Sequence, residues 1–152
     1  MAGRLAFGWE SPTWGGGIAF HEPEGQGTVL ARVYLVTSRQ FADVLEQEMR
    51  REPGADHDLT EVLARRRHAV GPGRYETQHL VGELEGRPVV TFSAPDVDAL
   101  GLRAPAPAYL ATMARGLRAT HDLTDAEVAD YLLGCRGIEL GWDREALLRT
   151  LA

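Results

Sequence analysis

The stretch TVLARVYLVTSRQFADVLEQEM, residues Thr28 to Met49, decides how the chain is read. Its first ten residues, Thr28 to Thr37, are rich in β-branched and aromatic side chains and nearly continuous in apolarity, the pattern of a buried central strand. The period then changes. Thr37 and Gln40 have the spacing of a capping box, which predicts a helix starting near Ser38. Phe41, Val44, Leu45, Glu48 and Met49 fall at i, i+3, i+4, i+7 and i+8, one face of a 3.6-residue repeat. Four of these are apolar, and the fifth is Glu48. Glu46 lies about 160° round the helix from Glu48 and has Arg50 at i+4 to pair with. Glu52 falls in the following loop. A carboxylate on an apolar face loses hydration and becomes a stronger base near neutral pH, so Glu48 is the candidate acid/base. The competing reading puts Glu48 at the edge of the stripe, or against an arginine from elsewhere in the fold.

Upstream of this stretch, RLAFGWES (Arg4 to Ser11) reads as a strand ending at Ser11-Pro12. The run Gly15-Gly16-Gly17 before Ile18-Ala19-Phe20 predicts close backbone approach or a bulge, then a short strand. Downstream, a short helix is expected around Leu59 to Arg67, followed by the turn GPGRY. A β-hairpin flanks Glu85-Gly86 and closes at Ser93-Ala94-Pro95. A Pro-rich turn leads into a helix from Pro107 to His121. Thr124 with Glu127 opens a second capped helix running to about Cys135, and Asp143 caps a terminal one to Leu151. Strands fill the first half and helices the end, which makes the fold class α+β, read as one domain over the 152 residues.

Composition excludes several functions. With 44% hydrophobic and 25% charged residues the chain has an ordinary globular make-up. A net charge of −6 argues against nucleic acid or an anionic membrane as partner. Cys135 is the single cysteine, so no internal disulfide forms and a reducing, cytoplasmic setting fits. No apolar run reaches membrane-spanning length.

Other candidates weigh less than Glu48. Tyr75 and Tyr109 each begin an element after a turn; such a ring is commonly core, with its hydroxyl on a backbone partner, though it can also hold a ligand oxygen. Gly16 and Gly17 could offer backbone amides to an anion, but no phosphate-loop lysine follows and tight strand packing is the simpler reading. The five histidines are scattered, and the Asp56-His57-Asp58 run lacks the spacing of a compact metal site. Ser11, Ser93 and Cys135 lack the context of a nucleophile. The Arg65 to His68 run reads as a solvated helix end.

Taken in order, TWGGGIA (Thr13 to Ala19), ARVYLV (Ala31 to Val36), EQEM (Glu46 to Met49), GRY (Gly73 to Tyr75) and APAPAY (Ala104 to Tyr109) resemble the γ-glutamylcyclotransferase family, over roughly Leu5 to Arg136. The likeness is greatest to an actinobacterial branch whose members sometimes carry a "histone deacetylase" label, for which no zinc-binding Asp/His set is visible here. The resemblance implies a small mixed β-barrel or strongly curved sheet with flanking helices. It implies a small-molecule γ-glutamyl substrate and no cofactor. It also gives Glu48 the role of acid/base, with Tyr109 lining the pocket, Tyr75 orienting the strand or the carboxylate, and Gly16 and Gly17 near the substrate. Met49 departs from the glycine that many relatives carry.

The larger departure is a missing YGSN loop, which in the family holds the glutamyl end of the substrate. Its first strand is missing with it, and Met1 falls after the place where both should be. Losing one oxyanion donor commonly costs about 100-fold in rate or more. Two further expectations follow: a non-catalytic interaction domain, with a homodimer through an exposed sheet edge, or a misassigned start codon.

Overall fold

The computed structural model describes residues 1–151. They form two compact units. One comprises Met1–Ala2 and Ala31–Pro95, and the other Gly3–Leu30 with the segment that begins at Asp96. The class is α+β, with two small antiparallel sheets and five α-helices among the described residues. Neither sheet closes into a barrel, which corrects the barrel expectation: the strands divide as two and three between units, too few for either sheet to wrap on itself. No helix among the described residues is long and apolar enough to cross a membrane.

The second unit is built on β1 (Arg4–Ser11) and β2 (Gly16–Glu22), paired antiparallel with Phe7 opposite Ala19. Three helices close it: α3 (Pro107–His121), α4 (Asp125–Leu133) and α5 (Arg144–Leu151). The Thr124–Glu127 capping box starts α4, and Asp143 accepts the Ala146 amide at 2.8 Å to start α5, as their spacing predicts. Leu110, Ala114 and Leu117 of α3 recur at i, i+4 and i+7 and meet Phe7, Val128, Leu132, Ile138 and Leu147 in one apolar core. The three-glycine run lets the chain pass close to a neighbouring segment. Gly17 donates its amide to the Ala104 carbonyl at 2.9 Å, and a Cβ there would lie 2.1 Å from the Arg103 carbonyl oxygen. Tight packing is what this motif does in the fold.

Cys135 lies in this core, 5% exposed, and burial pushes its thiol up to about 12. A disulfide-exchange reagent such as Ellman's is therefore expected to react slowly with the native chain and at the free-thiol rate in denaturant. Equal rates in the two conditions would contradict the burial.

The first unit holds α1 (Ser38–Glu48), α2 (Thr60–Arg65) and the sheet β3 (Arg67–Ala69), β4 (Thr77–Leu84), β5 (Arg87–Ser93) in that order. Strands β4 and β5 form the expected hairpin. Glu85 and Gly86 both take positive φ, +51° and +73°, the conformation of a two-residue I′ turn whose twist matches the strands. The capping box of α1 is present with both bonds: Gln40 N to Thr37 Oγ1 at 3.2 Å, and Thr37 N to the Gln40 side chain at 2.9 Å. The short helix forms where it is expected, over Thr60–Arg65. Two other expectations fail: Arg67 and His68 of the basic run open the strand β3 rather than ending a helix. More important, Thr28 to Thr37 is no buried strand. Val29 is buried, but Val33, Tyr34, Leu35 and Val36 are exposed, and the backbone of Ala31–Val36 makes no hydrogen bond to any described residue. β-branched residues favour an extended backbone, but only a neighbouring strand makes it a ladder, and none pairs with this segment.

Candidate functional site

The site is set by how α1 ends. The helix closes with the two bonds of a Schellman motif: Arg51 N to Glu46 O at 2.9 Å, and Arg50 N to Gln47 O at 2.9 Å. Arg50 takes the left-handed position, φ +57°, that usually falls to glycine. This turn folds Arg51 back over Glu46, and Arg50, the partner expected for Glu46 at i+4, is left outside the bond.

Arg51 grips Glu46 bidentately, Nε to Oε2 at 2.5 Å and Nη2 to Oε1 at 2.9 Å. Its Nη1 donates to Glu76 Oε1 at 2.5 Å. His57 Nε2 lies 2.6 Å from Glu46 Oε1, and Gly73 N donates to Glu76 Oε2 at 2.6 Å. The two carboxylate side chains are 7% and 6% exposed, and the arginine between them 43%. The GPG turn wraps the Glu76 carboxylate, since a Cβ on Gly71 or Gly73 would lie 2.5 Å from one of its oxygens. Glu46 is held below the ordinary carboxylate range, first by the Arg51 hydrogen bonds and next by His57, with burial opposing both. The Arg51 guanidinium is raised, by its bonds to Glu46 and then to Glu76. Glu46 is thus an anion with its lone pairs engaged. It is a strut, poorly suited to exchanging protons. Three of the five Arg51 N–H donors are occupied and two remain.

Removing the guanidinium strands two buried carboxylates. Arg51→Met is expected to loosen the first unit, read as faster amide hydrogen exchange across α1 and the start of β4. Adding Glu76→Gln should restore part of the protection by deleting one orphaned charge. Unchanged exchange in Arg51→Met would show that the network does not hold the turn.

The inward-facing residues of α1 are Ala42, Leu45 and Glu46. Glu48, expected on the apolar face, is exposed, and so is Val44 from the same stripe. The stripe 42, 45, 46, 49 has the same 3.6-residue spacing as the stripe read from apolarity, rotated by about one residue. Burial of Glu46 prevails because Arg51 and His57 engage its oxygens. Among the described residues the Glu48 side chain has no hydrogen-bond or ion-pair partner, and its backbone carbonyl accepts from Arg74 Nη2 at 3.4 Å. Tyr75 follows the same turn. Its ring meets Phe92 edge-on at 5.9 Å, and the Arg74 guanidinium lies 5.5 Å from the ring centroid. Phe92 also contacts Phe41 of α1 at 5.7 Å, so Tyr75 is packed into the wall that seats the helix.

The remaining sequence candidates belong to the second unit. Tyr109 accepts the Ala19 amide on its hydroxyl at 3.1 Å and packs between Phe7 and Trp14, with centroids 6.4 and 5.3 Å away. Gly16 lies opposite Ser11 in the β1–β2 pair, and the Gly17 amide is spent on Ala104. Sequence reasoning weighed His57 only as a metal ligand and passed over Arg51 and Glu76. The available signal was the glycine pair Gly71 and Gly73 just before a lone glutamate, since such glycines mark close approach of a group to backbone. No protein-family model matches the chain, and neither a curated protein nor a solved structure matches it.

Proposed function

We propose that the chain is a γ-glutamylcyclotransferase-like domain that releases 5-oxoproline and an amine from a γ-glutamyl amine or peptide. The ordered motif set suggests the reading. The structural observation that supports it is the division of labour on α1: Glu46 is consumed by Arg51 and His57, while Glu48, two residues on, keeps a carboxylate with no partner among the described residues. In this reaction Glu48 takes a proton from the α-ammonium group of the substrate. The freed nitrogen attacks the γ-carbonyl carbon, and the tetrahedral adduct collapses as the bond to the leaving amine breaks. The Glu48 carboxylic acid returns the proton to that amine. The ring nitrogen sheds its second proton as the adduct collapses, and that proton ends on the released amine as its ammonium, so the protons balance; ring closure is intramolecular, so positioning supplies much of the rate.

The Glu48 carboxylate faces solvent in the free chain, so its desolvation must come from the bound substrate. Glu46, Arg51 and Glu76 act as the strut that fixes the last turn beneath Glu48. The test is mass-spectrometric detection of 5-oxoproline from a panel of γ-glutamyl amides and dipeptides. No product above the uncatalysed rate with any of them sinks the enzymatic reading.

A second reading, a non-catalytic interaction domain on the same scaffold, is favoured by the exposed apolar run Val33 to Val36. It predicts association without turnover.

A further inference from the structure

We propose that Ala31–Thr37 is a dimerisation strand, pairing antiparallel with the same segment of a second copy of this chain across a two-fold axis at Tyr34. Four consecutive large residues are bare: Val33 at 53%, Tyr34 at 67%, Leu35 at 77% and Val36 at 46% exposure. Exposure of consecutive residues means that neither side of the segment is covered. Among the described residues, its backbone donors and acceptors have no partner from Ala31 to Val36. Composition rich in β-branched and aromatic residues, with unpaired backbone, is what strand addition uses. Both ends are anchored. The Leu30 amide donates to the Tyr131 hydroxyl at 3.2 Å, and Thr37, extended at φ −75° and ψ 160°, caps α1.

Symmetry selects the register. In an antiparallel pair related by a two-fold axis a residue lies opposite its own copy. An axis at Tyr34 uses the whole of Ala31–Thr37 and stops where the helix begins. It sets Tyr34 against Tyr34 and Val33 against Leu35 of the second copy, so the central side chains meet like ones, and lays the Arg32 stem along Val36. Arg32, the segment's one charge, then stands about 13 Å from its copy. Its guanidinium already lies 5.5 Å from its own Tyr34 ring centroid, and the pairing places it diagonal to the second ring. Parallel pairing in register would instead stack Arg32 on Arg32. The surroundings suit self-association in a chain of net charge −6, because no acidic residue falls between Glu24 and Asp43. A ribbon this short buries less than a standard interface, so the dimer is weak and concentration-dependent.

Sedimentation velocity on the full chain tests this. The expected mass rises with concentration from the 16.6 kDa monomer toward twice that value. Tyr34→Lys sets two ammonium groups face to face and is expected to weaken association about tenfold or more. It replaces an exposed side chain, and unchanged circular dichroism would show that the fold survives. For the register, Tyr34→Cys is expected to oxidise to a covalent dimer much faster than Val36→Cys, because only residue 34 faces its own copy at disulfide distance. A monomer at every concentration overturns the proposal, including one that captures a foreign extended peptide. So does a Tyr34→Lys chain that associates like wild type, or equal cross-linking at residues 34 and 36.

Discussion

Glu48→Gln is expected to cut 5-oxoproline release by about 10²–10⁴-fold and to leave the unfolding midpoint unchanged. The amide keeps the size of the side chain and loses the ability to accept and return a proton. The Glu48 carboxylate is exposed and holds no hydrogen bond or ion pair to any described residue, so its replacement leaves no buried group unpaired. Glu46→Gln is the contrasting variant. Glu46 is held below its ordinary value of 4.5 by Arg51 and then His57. A carboxyl depressed in the folded state contributes stability that is fully present above its unfolded value. That contribution is lost as the pH falls through the lower, folded value. Wild type is therefore expected to lose stability below about pH 4.5, and Glu46→Gln to show a shallower decline, the two curves converging in acid. Turnover and acid sensitivity should thus separate between carboxylates two residues apart. Equal product from wild type and Glu48→Gln removes Glu48 from the chemistry. A fully stable Glu46→Gln that yields no product transfers the role to Glu46.

Phe7→Ala should lower the stability of the second unit by about 3–5 kcal/mol. Phe7 is fully buried among the side chains of α3, α4 and α5. The cavity left by the ring cannot close easily, because the backbone is fixed on both sides. Phe7 N donates to Arg136 O at 2.7 Å, and Phe7 O accepts from Arg103 N at 3.0 Å. The strand cannot move inward without breaking these bonds, which puts the cost toward the upper end of the range. The edge-on contact with Tyr109 is lost as well. Tryptophan fluorescence reports this unit selectively, since all three tryptophans, Trp9, Trp14 and Trp142, belong to it. In urea the fluorescence midpoint should fall with little change in slope. A midpoint within experimental error of wild type would show that the Phe7 ring is not central to this core.

The parts of the fold legible in advance were those governed by local rules. The capping boxes at Thr37 and Thr124, the Glu85-Gly86 turn and the helix from Pro107 rest on interactions within a few residues, and each formed where its motif stood. Close approach at the glycine run was legible for the same reason, because glycine records its own crowding. The facing of α1 was not. Two stripes share the 3.6-residue repeat, and apolarity favoured the one containing Glu48. The choice depended on Arg51, His57 and Glu76, which are 5, 11 and 30 positions from Glu46. Such partners are invisible to periodicity.

By itself, then, the sequence determined the α+β class, the capped helices and their order, the hairpin, and a helix carrying glutamates on opposite sides. Only the tertiary structure decided which glutamate is buried, because burying a carboxylate requires partners for its oxygens, here an arginine delivered by a Schellman turn and His57 from the loop beyond it. Only it decided that the most strand-like stretch of the chain has no strand beside it. A side-chain pattern can favour an extended backbone, but hydrogen bonds to another strand must come from elsewhere.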